Sequence, residues 1–273
     1  MSPTATSSSP IVNSVANALR AVKHRVEDIA FRERVVTNDF GGNQFKVLLA
    51  DKTAALWYGA GTERPREFDL LKGRGLQPGA FVLDVGAHQA VVAMMMGAEV
   101  APGGRVVAVE ATERNAEVGR RNVELNGMKN VEILHAAAAR EDGPISFSQR
   151  RNGMIASGAN NYAVKTVDGL SIDTLAARYG APDLVYVDIE GYELEALKGA
   201  PNTLASKASW FLEVHGDADI GQFGGRNADV IDMFDESFDL YWSPDNAKVD
   251  FAPFARGTEP PRDRFFLVAI KKA

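Results

Sequence analysis

The sequence predicts an α/β protein: a mostly parallel sheet with helices on both faces. Three observations predict it. From about residue 79, short apolar runs such as Phe81-Val-Leu-Asp84 and Arg105-Val-Val-Ala-Val-Glu110 alternate with segments of helical length. The composition, 45% hydrophobic and 24% charged over 273 residues, is that of a globular chain able to bury a sizeable core. The last two strand-like runs have no helix between them, which predicts antiparallel pairing at one edge of the sheet.

The elements follow in order. Residues 1–10, rich in Ser, Thr and Pro, read as a disordered leader with neither the basic start nor the apolar core of a secretory signal. Ile11, Val15, Leu19, Val22, Val26 and Ile29 recur at spacings of three and four. They predict an amphipathic helix to about Phe31, packed on the main domain. Two β-prone runs, 34–37 and 44–49, flank Asn38-Asp-Phe-Gly-Gly-Asn43 and predict a hairpin with a longer loop than the tightest kind. With a connector holding Trp57 and Tyr58, residues 11–74 form a helix–hairpin extension or lid, and 75–273 the main domain.

Within the main domain, strands are expected at 81–84, 105–110, 131–135, 183–188 and 210–215, with two final ones at 239–242 and 264–271. Helices are expected at 89–100, 112–126, 171–179, 191–198 and 229–238, the second closed by Gly127. A turn at Glu141-Asp-Gly-Pro144 leads through a Gly/Asn-rich loop at 153–161 towards residues 164–167.

Thirty Lys and Arg against 36 Asp and Glu give a net charge of −6, so nucleic acid is not the expected partner. The absence of cysteine excludes a disulfide framework, a Cys-ligated metal and a cysteine nucleophile. No apolar stretch approaches the roughly 20 residues of a membrane span. The expectation is a soluble, cytoplasmic protein.

In such sheets ligands bind beyond the carboxyl ends of the strands. The first strand ends in Asp84-Val-Gly86-Ala87-His88, where a glycine lets backbone N–H groups approach a ligand; a plain strand-to-helix turn reads the same way, and the glycine spacing of a dinucleotide fingerprint is missing. The second ends in Glu110, placed to accept two ribose hydroxyls or to complement a helix dipole. The fourth ends in Asp188-Ile-Glu190-Gly-Tyr-Glu193 and the fifth in Glu213-Val-His215. Acids clustered beside an imidazole are costly unless they share protons, bind a cation or serve chemistry. Glu193 and Glu195 have a simpler account as first-turn acids of a helix. Of the histidines, His24 reads as solvated and His135 as structural, leaving His88 and His215 as functional candidates.

These segments, with Leu197-Lys-Gly-Ala200, resemble the FkbM-type methyltransferases, a class I family dependent on S-adenosylmethionine, over about residues 65–271. The resemblance implies a Rossmann-like, seven-stranded sheet with an antiparallel last strand at its edge, and methyl transfer to a hydroxyl of a sugar, polyketide or similar small metabolite. It implies that Asp84, Gly86, Ala87 and His88 face the amino-acid end of the cofactor and that Glu110 holds the ribose. It further implies that Ala111 and the stretch after the third strand, including Ala137, flank the adenine. Glu67 is a candidate for the cofactor's amino group, and Asp188 belongs to the same set. His215 is the first candidate for the base that deprotonates the acceptor and Asp188 the second. No metal is expected, with Mg²⁺ on Asp188 and Glu213 as the alternative. Two departures stand out: the family usually has Asn at His88 and Gly at Ala90. A nicotinamide-dependent oxidoreductase and a binding protein without turnover are the rival readings. The extension is the expected surface for any homo-oligomer.

Overall fold

The computed structural model describes residues 31–148, 154–155, 164–245 and 249–272. The predicted leader and N-terminal helix, with His24, lie outside the described residues, as does the 153–161 loop apart from residues 154–155. β1 (Arg34–Phe40) and β2 (Asn43–Leu49) form an antiparallel hairpin in which Phe40 pairs with Asn43. Its loop is therefore Gly41 and Gly42 alone, at φ 62° and 89°. That corrects the expected longer loop: two glycines supply the left-handed backbone a two-residue turn demands, so Asn38 and Asp39 join the strand. The connector contains two short helices, α1 (Lys52–Tyr58) and α2 (Glu67–Leu71). The first is capped by Asp51, which accepts from the Ala54 N–H at 2.8 Å.

β3 (Phe81–Val85) is buried at every position, as a strand covered on both faces must be. α3 (Val91–Glu99) is apolar nearly all round, because the sheet lies on one side of it and the hairpin on the other. Met94, Met95 and Met96 share a core with Phe40, Phe45, Val47 and Leu49. Next come β4 (Arg105–Glu110), α4 (Glu113–Leu125) and β5 (Val131–His135), completing a parallel run of β3, β4 and β5.

A second sheet follows that the sequence did not disclose. β6 (Ala137–Ala139), β7 (Gly143–Ser148), β8 (Met154–Ile155) and β9 (Val164–Ser171) pair in the order β6-β9-β7-β8. β6 is three alanines, a residue with little strand preference, so neighbours rather than propensity make it a strand. α5 (Ile172–Tyr179) starts at Ser171, whose hydroxyl accepts from the Thr174 N–H at 3.0 Å.

β10 (Leu184–Val187) returns to lie parallel beside β3, followed by α6 (Glu193–Lys198) and α7 (Pro201–Ala205). β11 (Ser209–Val214) is parallel to β10. α8 (Asp217–Ile220) and α9 (Asn227–Ile231) then lead to β12 (Phe238–Pro244), the two-residue β13 (Ala252–Pro253) and β14 (Phe265–Lys271). The last helix was expected to reach Phe238 but stops at Ile231. The Arg256 guanidinium takes up the carbonyls of Phe234 and Phe238 at 2.6 and 3.0 Å, groups that helix continuation would have to satisfy otherwise.

The main sheet runs β13-β12-β14-β11-β10-β3-β4-β5. The antiparallel pairing expected at one edge is present: β14 reverses between β11 and β12, and short β13 adds an eighth strand outside seven. One face packs on α5, α6, α7 and α9, the other on α2, α3, α4 and the hairpin. No helix among the described residues is long and apolar enough to cross a membrane.

Candidate active site

Parallel pairing brings the carboxyl ends of β3, β4, β10 and β11 to one mouth of the sheet. Gly86 follows β3 at φ 99°, and a Cβ there would sit 1.7 Å from the Asp188 carbonyl oxygen. Only glycine fits, for two reasons at once, and the fit fixes the backbone of Asp188. The next turn holds His88 at φ 48° and Ala90 at φ 65°, so both departures noted in the sequence fall on left-handed positions. Asn and His are among the residues that adopt this region most readily, whereas alanine does so at a cost. Glu190, at φ 55°, is a third such residue at the same mouth.

Two adjoining clefts open here. The narrower, about 80 Å³, runs past Trp57, Glu110, Ala111, Ala137, Glu190 and Tyr192. The wider, about 390 Å³, lies between the 62–67 segment and Asp84, Ala87, Tyr186 and Glu213. Gly86, His88, Trp57 and Asp188 line both. The structure therefore gathers nearly every residue singled out from the sequence: Glu110, Ala111 and Ala137 on one cleft, Glu67, Asp84, Ala87 and Glu213 on the other, and the remaining three shared. His215 lines neither and stands behind Asp188.

Glu110 is held by two backbone donors, the Thr112 N–H to Oε1 at 2.7 Å and the His88 N–H to Oε2 at 2.9 Å. Burial outweighs them and pushes its carboxyl up to about 7. Burial, and then the charge of Glu110, pushes Asp84 up to about 8; its buried Oδ2 has no hydrogen-bond partner. Glu67 is raised by burial as well, and accepts from the Tyr186 hydroxyl at 2.7 Å. His88 is lowered to about 4 by burial, so its ring is neutral. Nδ1 lies 3.2 Å from the Tyr58 hydroxyl, Nε2 is buried without a partner, and the ring centroid is 5.1 Å from that of Trp57.

The second cluster centres on His215. Its Nδ1 is 2.8 Å from Glu193 Oε1, which also accepts from the Gly191 N–H at 2.9 Å. Its Nε2 faces Asp188, Glu190 and Glu213 at 3.6, 3.6 and 3.8 Å. Burial works against a charge on this ring, but Glu193, Asp188 and Glu213 prevail and raise it to about 10. Asp188 is raised well above the carboxylate range by burial and by Glu213. Arg264 sits 2.8 Å from Glu213 Oε1. Glu193, explained in the sequence as a first-turn acid, is fully buried and orients His215. Sequence reasoning also missed Tyr186, Tyr192 and Arg264 as parts of the site. Tyr192, next to the acidic run, was the one with a local signal.

No curated protein sequence matches the chain significantly. Among solved structures it is similar to an FkbM methyltransferase from Methylobacillus flagellatus, at 17% identity over 70% of this chain and with a TM-score of 0.44. It spans 43% of that protein's length. It is also similar to a SAM-dependent O-methyltransferase from Thermotoga maritima, at 10% identity over 88% of this chain and 78% of the other, TM-score 0.44. A third is a putative rRNA methylase from Clostridium thermocellum, at 11% identity over 78% and 98%, TM-score 0.46. The family model of the methyltransferase FkbM domain matches residues 84–240, a stretch that starts at Asp84 and takes in Glu110, Asp188 and His215. That match covers more than half of the chain, and the protein belongs to the FkbM methyltransferase family.

Proposed function

We propose that this protein transfers a methyl group from S-adenosylmethionine to a hydroxyl oxygen of a small hydroxylated metabolite. The observation that carries the reading is the pair of adjoining, acid-lined clefts that share Asp188. The residues suit a cationic, ribose-bearing cofactor. The clefts hold Glu67, Asp84, Glu110, Asp188 and Glu213, and burial opposes the charge of each, so a bound cation relieves a standing electrostatic cost. Asp84 Oδ2 is a buried acceptor without a donor. When bound, S-adenosylmethionine supplies an electrophilic methyl carbon on a sulfonium.

Glu110 would hold the ribose, because two N–H donors fix its carboxylate at the narrower cleft. Ala111 and Ala136–Ala138 leave a small, apolar wall on which an adenine can lie, with Trp57 and Tyr192 as flat neighbours. Asp84 and Glu67 would face the charged end. The wider cleft would take the acceptor, in the 300–1,000 Å³ range typical of small-molecule sites. A hydroxyl needs its proton removed or its alkoxide stabilised as the carbon arrives. Asp188 is the group whose position serves that need, since among the described acids it alone touches both clefts. His215, the first choice from sequence, has the weaker claim to be the base: it is shielded behind Asp188, and its role is to position that carboxylate.

The test is a methyl-label transfer assay against pooled hydroxylated metabolites, paired with calorimetric titration of S-adenosylmethionine. Glu110→Ala removes a charge-assisted hydrogen bond worth about 1.5–3 kcal/mol, a loss of about ten- to a hundredfold in cofactor affinity. Unchanged affinity in that variant, or no cofactor binding by the parent protein, overturns the reading.

A further inference from the structure

We propose that Asp188, Glu213 and His215 form a binding site for one divalent transition-metal ion, with Glu193 as the residue that orients the imidazole. The three side chains each bring one ligand atom to within 4.8 Å of the others. Acids near one another do not make a metal site; the imidazole between them supplies the independent observation. His215 is more than nine-tenths buried. The neighbours of Nδ1 are both acceptors, the Glu193 carboxylate at 2.8 Å and the Glu213 carbonyl at 3.2 Å, so Nδ1 carries a proton and donates. Nε2 is then the nitrogen left for another partner, and it has no hydrogen bond. It faces carboxylate oxygens of Asp188, Glu190 and Glu213 at 3.6, 3.6 and 3.8 Å. The three acids call for a positive charge at this nitrogen, which a proton supplies in the metal-free ring and which an ion bound in its place would supply instead.

The spacing is too long for an N–H···O hydrogen bond and suits a shared ion. Two donors each about 2.1 Å from one ion, at an angle of roughly 110–120°, lie about 3.4–3.6 Å apart. A carboxylate on the far nitrogen of a ligating histidine is the usual way such a ring is held. The donor set of one imidazole nitrogen and two carboxylate oxygens favours Mn²⁺ or Zn²⁺ over Mg²⁺, which prefers oxygen alone. Arg264, 2.8 Å from Glu213 Oε1, balances part of the acid excess. Asp188 opens the site to both clefts. Only the use of the ion, polarising an acceptor hydroxyl, rests on the methyl-transfer reading; its binding does not.

The probe is Mn²⁺ alone, added to the chelator-treated full chain without cofactor or acceptor. Calorimetry and electron spin resonance should show one Mn²⁺ per chain. Electron spin echo should show nitrogen coupling from one imidazole, lost in His215→Gln. Glu213→Gln, a conservative change, should weaken binding at least tenfold, whereas Glu67→Gln in the wider cleft should leave it unchanged. Absence of stoichiometric binding by the folded parent protein at 1 mM Mn²⁺, on the order of the weakest useful site, overturns the proposal. So does binding without nitrogen coupling, or binding that Glu67→Gln weakens as much as Glu213→Gln. Mn²⁺ bound as described in a protein without methyl transfer counts against the enzyme reading alone.

Discussion

Ala90 shows how a single methyl group is accommodated where the backbone asks for glycine. At φ 65° an alanine costs about 1–2 kcal/mol relative to a relaxed conformation. The side chain is fully buried, and the room for it comes from Gly119 on α4: a Cβ on Gly119 would lie 3.1 Å from that of Ala90. The two positions therefore share one space. Gly119→Ala gains about 1 kcal/mol of helix propensity but overpacks against Ala90, and the balance should be destabilising by about 1–2 kcal/mol. In an Ala90→Gly background the clash is gone and the same change should stabilise. Urea unfolding of the four proteins measures the coupling, expected at about 1–3 kcal/mol. Additive effects would mean that the turn and α4 do not compete. The glycine at 86 was legible in the sequence as a turn. Its collision partner, the Asp188 carbonyl 102 residues later, was not, because only the sheet pairing brings the two together.

Elements were readable in proportion to how much of their reason is local. β3, β4 and β10 announce themselves because burial on both faces makes a short run of mostly apolar residues. The β6–β9 sheet and α1 are held by tertiary contacts and left no comparable pattern. The hairpin is intermediate: its strands were legible, but not what covers its open edge. There α4 and the residue that caps its C-terminus answer with two asparagines. Asn126 accepts from the Lys46 N–H at 2.9 Å and donates to the Lys46 carbonyl at 2.8 Å, as a neighbouring strand would. Asn122, fully buried, accepts from the Leu48 N–H at 2.8 Å and donates to the Gln89 carbonyl at 2.9 Å, tying the hairpin to the turn that carries His88. Asn122→Ala leaves a buried donor and a buried acceptor unpaired, and should cost about 2–4 kcal/mol. Asn126→Ala, more exposed, should cost about half as much or less. Denaturant unfolding checks the order. Amide exchange should place the first loss of protection in β2. Equal costs for the two variants would mean that burial is not what sets them.

At the scale of the whole molecule, the acids drawn to one mouth of the sheet make stability depend on pH in the direction opposite to that of salt-bridged carboxylates. Asp84 and Glu110 ionise near 4 in an unfolded chain but stand at about 8 and about 7 when folded, chiefly because burial opposes their charge. Between about pH 4 and pH 8 these two groups hold more protons folded than unfolded, so their contribution to stability falls as pH rises and levels off above their folded values. Tyr58 and Tyr186, packed on the same cleft, add no charge over this window, since burial raises both above 10. Asp84→Asn keeps the shape and removes one of the two titrations. It should match the parent protein near pH 4 and exceed it by about 2–5 kcal/mol at pH 8, read from urea unfolding at a series of pH values. The same variant should lose part of the stabilisation that S-adenosylmethionine gives the parent protein, since the destabilising charge is also the one that would meet a cation. If the pH slope of Asp84→Asn equals that of the parent, Asp84 is already ionised at neutral pH. The electrostatic cost attributed to these clefts would then have to lie with Glu110 and the other buried acids, Glu67, Asp188 and Glu213.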